Sequence, residues 1–450
     1  MCLVAAFMAG LDVSIVNVAL PSIREGLNAT DDGLQWILSG YALTFGLLLV
    51  PAGRLGDARS RRTVFIWGTL LFTLASAVCG LAFSMPVLIV SRLAQGMAAG
   101  VINPQVSGLI QQMFRGQERG RAFGALGATI GISTAAGPLI GGALVTAFGG
   151  AHGWRWVFLV NVPIGLVLLP LAHRLLPPPQ TPGRRESMDP IGVLLLGAGV
   201  AGLLLPFIQQ QWEDPVKWLL IPAALAVLAG FVAWERRCRG APLVDLALFG
   251  KRSYSLGSII ALFYFAGFTG IFFIFTLYLQ SGLHYSPLLA GLAITPFALG
   301  SASASVVGGR LVARTGRRLV AAGLATVITG LTATMVATAL APGAALGLAT
   351  ALPLLVAGIG SGLVISPNQA ITLSEVPPAG GGSAAGILQT GQRLGSAIGI
   401  AVAGSVFFGS LSQGWPTAFR HGLVVVVLLV GVALAAALYD LARGSTPAEA

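Results

Sequence analysis

The sequence predicts an all-α integral membrane protein built from two related six-helix halves, with two further helices inserted between them. Three observations predict it. Of 450 residues, 55% are hydrophobic and only 9% charged, whereas a soluble domain carries about 25% charged residues. Apolar runs of about 20 residues recur along the whole chain, each long enough to cross a hydrocarbon core of roughly 30 Å as a helix. One arginine-loaded segment occurs twice, as GRLGDARSRR from Gly53 to Arg62 and as GRLVARTGRR from Gly309 to Arg318. Each copy joins two apolar runs, as the hairpin between two spans would.

Taken in order, the apolar runs predict fourteen spans, at 2–22, 34–53, 63–82, 86–109, 120–147, 156–175, 190–210, 216–234, 253–280, 288–309, 319–341, 345–367, 382–409 and 419–439. The first begins almost at Met1, lacks a basic flank and ends at Pro21 without a small-residue cleavage site, so it reads as a span and not as a signal peptide. Pro51, Pro138, Pro296 and Pro367 mark kinks or ends. The Pro- and charge-rich connectors 176–189 and 235–252 bracket a pair of spans that belongs to neither repeat. The expected domains are therefore 1–176 (first six-helix bundle), 177–252 (linker with two inserted helices), 253–441 (second bundle) and 442–450 (tail). Pairing of the halves extends past the hairpins: the stretch from Gly120 to Gly142 aligns with Gly382 to Gly404, setting Gly124 against Gly386 and Gly137 against Gly399. Internal symmetry of this kind points to a site at the repeat interface.

The net charge of +11 would suggest nucleic acid in a soluble protein. Its distribution excludes that reading. With the N-terminus inside, 20 of the 26 Lys and Arg fall in inner loops and the tail, 4 in outer loops, and Arg92 and Arg393 within spans. This is positive-inside sorting, and an even span count places both termini in the cytoplasm. The bias toward arginine over lysine fits a bacterial, high-GC origin, hence the inner membrane. Cys2, Cys79 and Cys238 have no metal or redox spacing, no catalytic triad or nucleotide motif occurs, and GxxxxGK[ST] is absent. Neither an enzyme nor an ATP-driven pump is expected, and no cofactor.

Four motifs carry the chemistry. LDVSIVNVALP (Leu11–Pro21) puts Asp12 inside the first span. A carboxylate in hydrocarbon is costly while charged and is relieved by taking a proton, so Asp12 is a candidate proton carrier; the alternative is a structural acid held by a neighbour. RLAQGMAAG (Arg92–Gly100) puts Arg92 at comparable depth, where its guanidinium needs a partner; the two form either a coupling pair or a static ion pair. The hairpin GRLGDARSRR supplies Gly53, Asp57, Arg61 and Arg62, with Arg317 and Arg318 in the second copy. STAAGPLIGG (Ser133–Gly142) supplies Gly137, Pro138, Gly141 and Gly142, with Gly124 upstream, for a kinked and closely packed helix.

In this order the motifs resemble those of the major facilitator superfamily, specifically its fourteen-span drug:proton antiporters, over essentially the full length. The resemblance implies two rocking bundles with alternating access, Asp12 and Arg92 as the proton-coupling pair, and Asp57 as a latch that caps a helix or pairs with an arginine of the other half. It also implies export, because STAAGPLIGG resembles the antiporter motif. Ser14 stands where the family usually has threonine. Ser60 and Ser133 stand where it usually has glycine, and Ala313 holds the place of Asp57 in the second hairpin, so a one-sided latch is expected.

Polar residues elsewhere within spans outline a candidate cavity: Asn17, Gln95, Asn103, Asn161, Gln389, Gln392 and Arg393. Phe265, Phe268 and Phe272 share one face of the ninth span and offer an aromatic wall for flat or cationic molecules; the alternative is bundle packing. No second central acid accompanies Asp12. The expected function is proton-coupled export of hydrophobic, neutral or monocationic small molecules by a monomer whose partners are protons, substrate and lipid. A proton-linked importer or facilitator, or a non-transporting receptor or scaffold, are the alternatives.

Overall fold

Long apolar runs with few interior charges leave the backbone no partner but itself, and the described residues accordingly fall mostly in helices. The computed structural model describes residues 1–149, 152–177, 189–208, 215–238, 242–340 and 345–444. Arg184, Arg185 and Arg239, which entered the charge count, and residues 445–450 of the tail lie outside the described residues. The helices are α1 (Cys2–Leu27), α2 (Asp31–Ala58), α3 (Arg61–Leu81), α4 (Met85–Met113), α5 (Gly116–Phe148), α6 (Trp154–Leu159), α7 (Asn161–Leu175), α8 (Pro190–Ile208), α9 (Leu220–Arg237), α10 (Arg252–Leu277), α11 (Pro287–Thr315), α12 (Arg317–Leu340), α13 (Leu346–Ala349), α14 (Ala351–Thr372), α15 (Gly381–Gly409) and α16 (Trp415–Ala442). Among the described residues, twelve helical segments are long and apolar enough to cross a membrane. The apolar stretch of α8 is shorter, and α15, although 29 residues long, is diluted by Gln389, Gln392 and Arg393 and is not one of the twelve.

The prolines do not act as ends. α1 runs through Pro21 to Leu27 and stops at Asn28, whose φ of 49° is left-handed. Pro51, Pro138, Pro296 and Pro367 all lie inside helices. The real boundaries are set by caps, which satisfy backbone groups the helix leaves unpaired. Thr30 accepts from the Gly33 amide at 3.3 Å, Ser60 from Thr63 at 3.2 Å and Ser286 from Leu289 at 3.3 Å. This explains why the two hairpin copies differ. Ser60 caps the start of α3, whereas Gly316 closes α11 with a φ of +54° that a side chain would resist.

The described chain divides into two compact units: Met1–Met113 with Ala136–Leu248 and Val376–Thr390, and Phe114–Ala135 with Phe249–Glu375 and Gly391–Ala450. Each takes in the first part of a helix from the other half of the chain, and the repeat glycines show why. In the first unit a Cβ on Gly53 would strike the Gly382 carbonyl, and one on Gly386 would strike Leu49. In the second unit a Cβ on Gly120 would stand 2.6 Å from the Gly309 oxygen, and one on Gly124 2.7 Å from the Ser305 oxygen. The repeat thus appears twice as a backbone-to-backbone glycine contact, α2 on α15 and α11 on α5. The apolar core of the first unit includes Leu11, Ile15, Ile37, Leu88, Trp154 and Phe158; that of the second includes Tyr264, Phe275, Leu324, Leu354, Phe407 and Phe419. A smaller cluster of Val50, Phe231, Leu243 and Val244 fixes the α8–α9 pair to α2.

Candidate functional site

Asp12 lies on α1 among apolar neighbours with none of its surface exposed. A charge so placed survives only if paired and hydrogen-bonded, and the first unit supplies both. Arg92 of α4 donates from Nη1 to Asp12 Oδ2 at 2.7 Å. Gln95, one helical turn on from Arg92, donates to Asp12 Oδ1 at 2.8 Å, and Asn161, the first residue of α7, donates to the same oxygen at 3.0 Å. Arg92 also donates from Nη1 to Gln95 Oε1 at 2.6 Å and from Nε to the Ile37 carbonyl at 3.1 Å. Its guanidinium lies 4.2 Å from the centre of the Tyr41 ring, a favourable cation–π geometry. Gln95 also donates to Ser76 Oγ at 2.6 Å, and Cys79 Sγ stands 3.2 Å from Ser91 Oγ. The acid thus accepts three hydrogen bonds, one of them from its counter-cation.

Sequence reasoning places Asp12 and Arg92 together, and the structure joins them. Gln95 and Asn161, expected to line a cavity, are instead committed to Asp12 and fully buried. The other polar candidates are scattered. Asn17 is exposed and bonds to Val13 O at 3.4 Å, Asn103 bonds to Ala99 O at 3.1 Å, and Gln389 bonds to Ser107 at 3.2 Å. Gln392 is half-buried and Arg393 exposed. In the second unit Phe265, Phe268 and Phe272 form one aromatic cluster with Phe297, with centroid spacings of 5.0 to 5.9 Å. The space left between Phe272, Phe275, Phe297, Ile294 and Leu354 is 10 Å³, too small for a drug-sized ligand. A groove of 490 Å³ runs along α3 and α4, lined by Leu71, Leu74, Val78 and Val90, and contains none of these residues.

The first hairpin is built as a cap. Asp57 accepts from the amides of Gly382 at 3.0 Å and Ser383 at 2.7 Å and from Ser383 Oγ at 2.8 Å. A carboxylate at a helix N-terminus satisfies free amides and opposes the helix dipole. The arginine that holds Asp57 is Arg61, four residues on, at 2.6 Å, and not one from the second hairpin. Arg61 continues to the Gly108 carbonyl at 3.1 Å and to the Pro378 carbonyl ahead of α15. Arg62 reaches the His173 carbonyl at the end of α7. In the second unit Arg317 turns inward to Asp440 of α16 at 2.8 Å and Asn368 of α14 at 2.5 Å, while Arg318 is exposed. Asp440, which also pairs with Arg252 at 3.0 Å, escaped the sequence reading because an acid at a helix end looks like an ordinary loop charge. Replacing Asp57 by alanine is expected to raise hydrogen exchange at the Gly382 and Ser383 amides roughly 10- to 100-fold, since charge-assisted bonds of about 1.5–3 kcal/mol are lost. Unchanged exchange there contradicts the cap.

The STAAGPLIGG stretch brings α5 against α1 in the first unit. A Cβ on Gly137 would strike Ser14, and one on Gly141 would stand 2.9 Å from Ile15. A serine at position 14 is therefore seated on the glycine. Gly142 has nothing within 4 Å of such a Cβ, so the close packing expected of it is not found. The helix runs unbroken through Pro138.

The model of the Major Facilitator Superfamily matches this chain over residues 2–399 and 257–449. The chain belongs to the major facilitator superfamily. It is 36% identical to a Streptomyces coelicolor protein described as a probable actinorhodin transporter, over 91% of this chain and 72% of that one. It is 34% identical to the cephamycin export protein of Amycolatopsis lactamdurans, over 98% of this chain and 92% of that one. Among solved structures, a proton:xylose symporter of the superfamily superposes with a TM-score of 0.68 at 17% identity, covering 98% of this chain and 94% of that one; at that identity the likeness is one of fold. As a member of the superfamily, the chain is a multi-pass membrane transporter and not an enzyme.

Proposed function

We propose that this transporter is a proton-coupled exporter of hydrophobic, neutral or monocationic small molecules, working by alternating access in the bacterial inner membrane. The observation that carries this reading is the fully buried Asp12, held by Arg92, Gln95 and Asn161. The cephamycin export protein among its relatives supports the outward direction. In this reading α8 and α15 join the twelve segments to give fourteen spans, with both termini cytoplasmic. The arrangement described is the deprotonated, Arg92-paired state. Proton entry from outside displaces Arg92 and releases substrate; proton loss to the cytoplasm restores the pair. The Asp57 cap on α15 is a latch that opens once in each cycle. No cofactor is required, because the driving force is the proton gradient.

The magnitudes suffice. One proton moving down 100 mV contributes about 2.3 kcal/mol, and one pH unit about 1.4 kcal/mol. For a neutral substrate the sum sustains a gradient of roughly 500-fold. A monocation exchanged one for one cancels the voltage and retains only about tenfold per pH unit. In everted vesicles acidified inside, ethidium is expected to accumulate and to leave when the pH gradient is collapsed. Accumulation in right-side-out vesicles acidified outside would instead mark an importer.

A further inference from the structure

The inserted pair α8–α9 carries two buried acids that the Asp12 mechanism does not use. Asp189 precedes α8 and caps it, Oδ1 accepting from the Ile191 amide at 3.1 Å, while Oδ2 accepts from Trp234 Nε1 at 2.7 Å. Glu235, two residues before the end of α9, is 5% exposed, and neither of its carboxyl oxygens has a hydrogen-bond partner among the described residues. The Leu243 and Val244 amides face it without closing a hydrogen bond, and Arg54 of α2 is the cation that faces it. Gly192 shows how near the acids are. A Cβ there would stand 2.5 Å from Asp189 Oδ2 and 2.8 Å from Glu235 Oε1, so the two oxygens are no farther apart than the sum of those lengths. Any side chain at position 192 would fill the space between them.

Two carboxylates this close in an apolar setting repel when both are ionised, and a proton shared between them relieves the repulsion. Asp189 has a charge-stabilising cap and an indole donor; Glu235 has neither. We propose that Glu235 and Asp189 form a second proton-binding site, with the proton resident on Glu235 and donated to Asp189. Asp189 Oδ2 has lone pairs for both the indole and the acid proton. The site is fixed to α2 through the Val50–Phe231 cluster and is separate from Asp12 in residues and helices. On losing its proton, Glu235 is repelled by Asp189 and drawn toward Arg54 at the head of the hairpin segment.

Infrared difference spectroscopy of the full-length protein in lipid tests this. In an Asp12→Asn background, which removes the buried acid of α1, a protonated-carboxyl C=O band is expected at neutral pH and is lost in Glu235→Gln. Asp189→Asn keeps Glu235 and serves if Glu235→Gln does not fold; there the same band should persist at a shifted frequency, because the acceptor of its hydrogen bond has changed. Absence of a neutral-pH band sensitive to Glu235→Gln overturns the proposal. So does a band abolished by saturating Na⁺, K⁺ or Mg²⁺, which would show that the pair takes a metal cation instead.

Discussion

Replacing Asp12 by asparagine is expected to abolish pH-driven transport while leaving the protein folded in the membrane. Asparagine is nearly isosteric with the protonated acid and retains an acceptor for Arg92, Gln95 or Asn161, which surround the side chain at 2.7 to 3.0 Å. Arg92 loses its counter-anion but keeps its hydrogen bonds to Gln95 and the Ile37 carbonyl and its contact with the Tyr41 ring. What disappears is the ability to gain and lose a proton. Accumulation of ethidium in everted vesicles, about tenfold per pH unit for a one-for-one exchange, should fall to no accumulation at any imposed gradient. Size-exclusion elution and helical circular dichroism should match the parent protein. Undiminished proton-driven accumulation by Asp12→Asn refutes Asp12 as the carrier.

Replacing Arg92 by methionine is expected to be the most destabilising single change at the site. It leaves a buried carboxylate with two amide donors and no cation, and removing one partner of a buried pair costs about 3–5 kcal/mol. The groups facing Asp12 are then Gln95 and Asn161, with Cys79, Ser76 and Tyr41 nearby, none of them a cation. Combining Arg92→Met with Asp12→Asn removes the stranded charge and should recover most of the loss, giving a large favourable coupling in a double-mutant cycle. Additive losses contradict the pairing.

Much of this was legible in the sequence because it rests on pattern. The apolar runs, the arginine hairpins and the glycine repeat follow from what a bilayer and close helix contact demand, and the repeat reappears as the Gly53–Gly382 and Gly309–Gly120 contacts. Asp12 and Arg92 were legible because a lone acid and a lone guanidinium at similar depth have no cheaper solution than each other. The destinations of side chains at helix ends were not. Asp440 is 123 positions from Arg317, and no periodicity links them. An arginine of the second hairpin would satisfy Asp57 equally well on sequence grounds, and only the fold brings the bare amides of α15 to it. Gln95 and Asn161 looked like cavity residues because amides serve a substrate and a buried acid with the same chemistry. Prolines misled as ends because neighbouring helices and local backbone adjustment tolerate them inside membrane helices.

Proton release on ligand binding tests the role of Asp12 most directly. Ethidium is added to purified protein in weakly buffered detergent containing a pH indicator, with binding followed in parallel by fluorescence. The expected result is release of protons by the parent protein as ethidium binds, and none by Asp12→Asn at equal occupancy. Equal release by both proteins, or binding to the parent with no release across the pH range in which it transports, would contradict a proton cycle on Asp12.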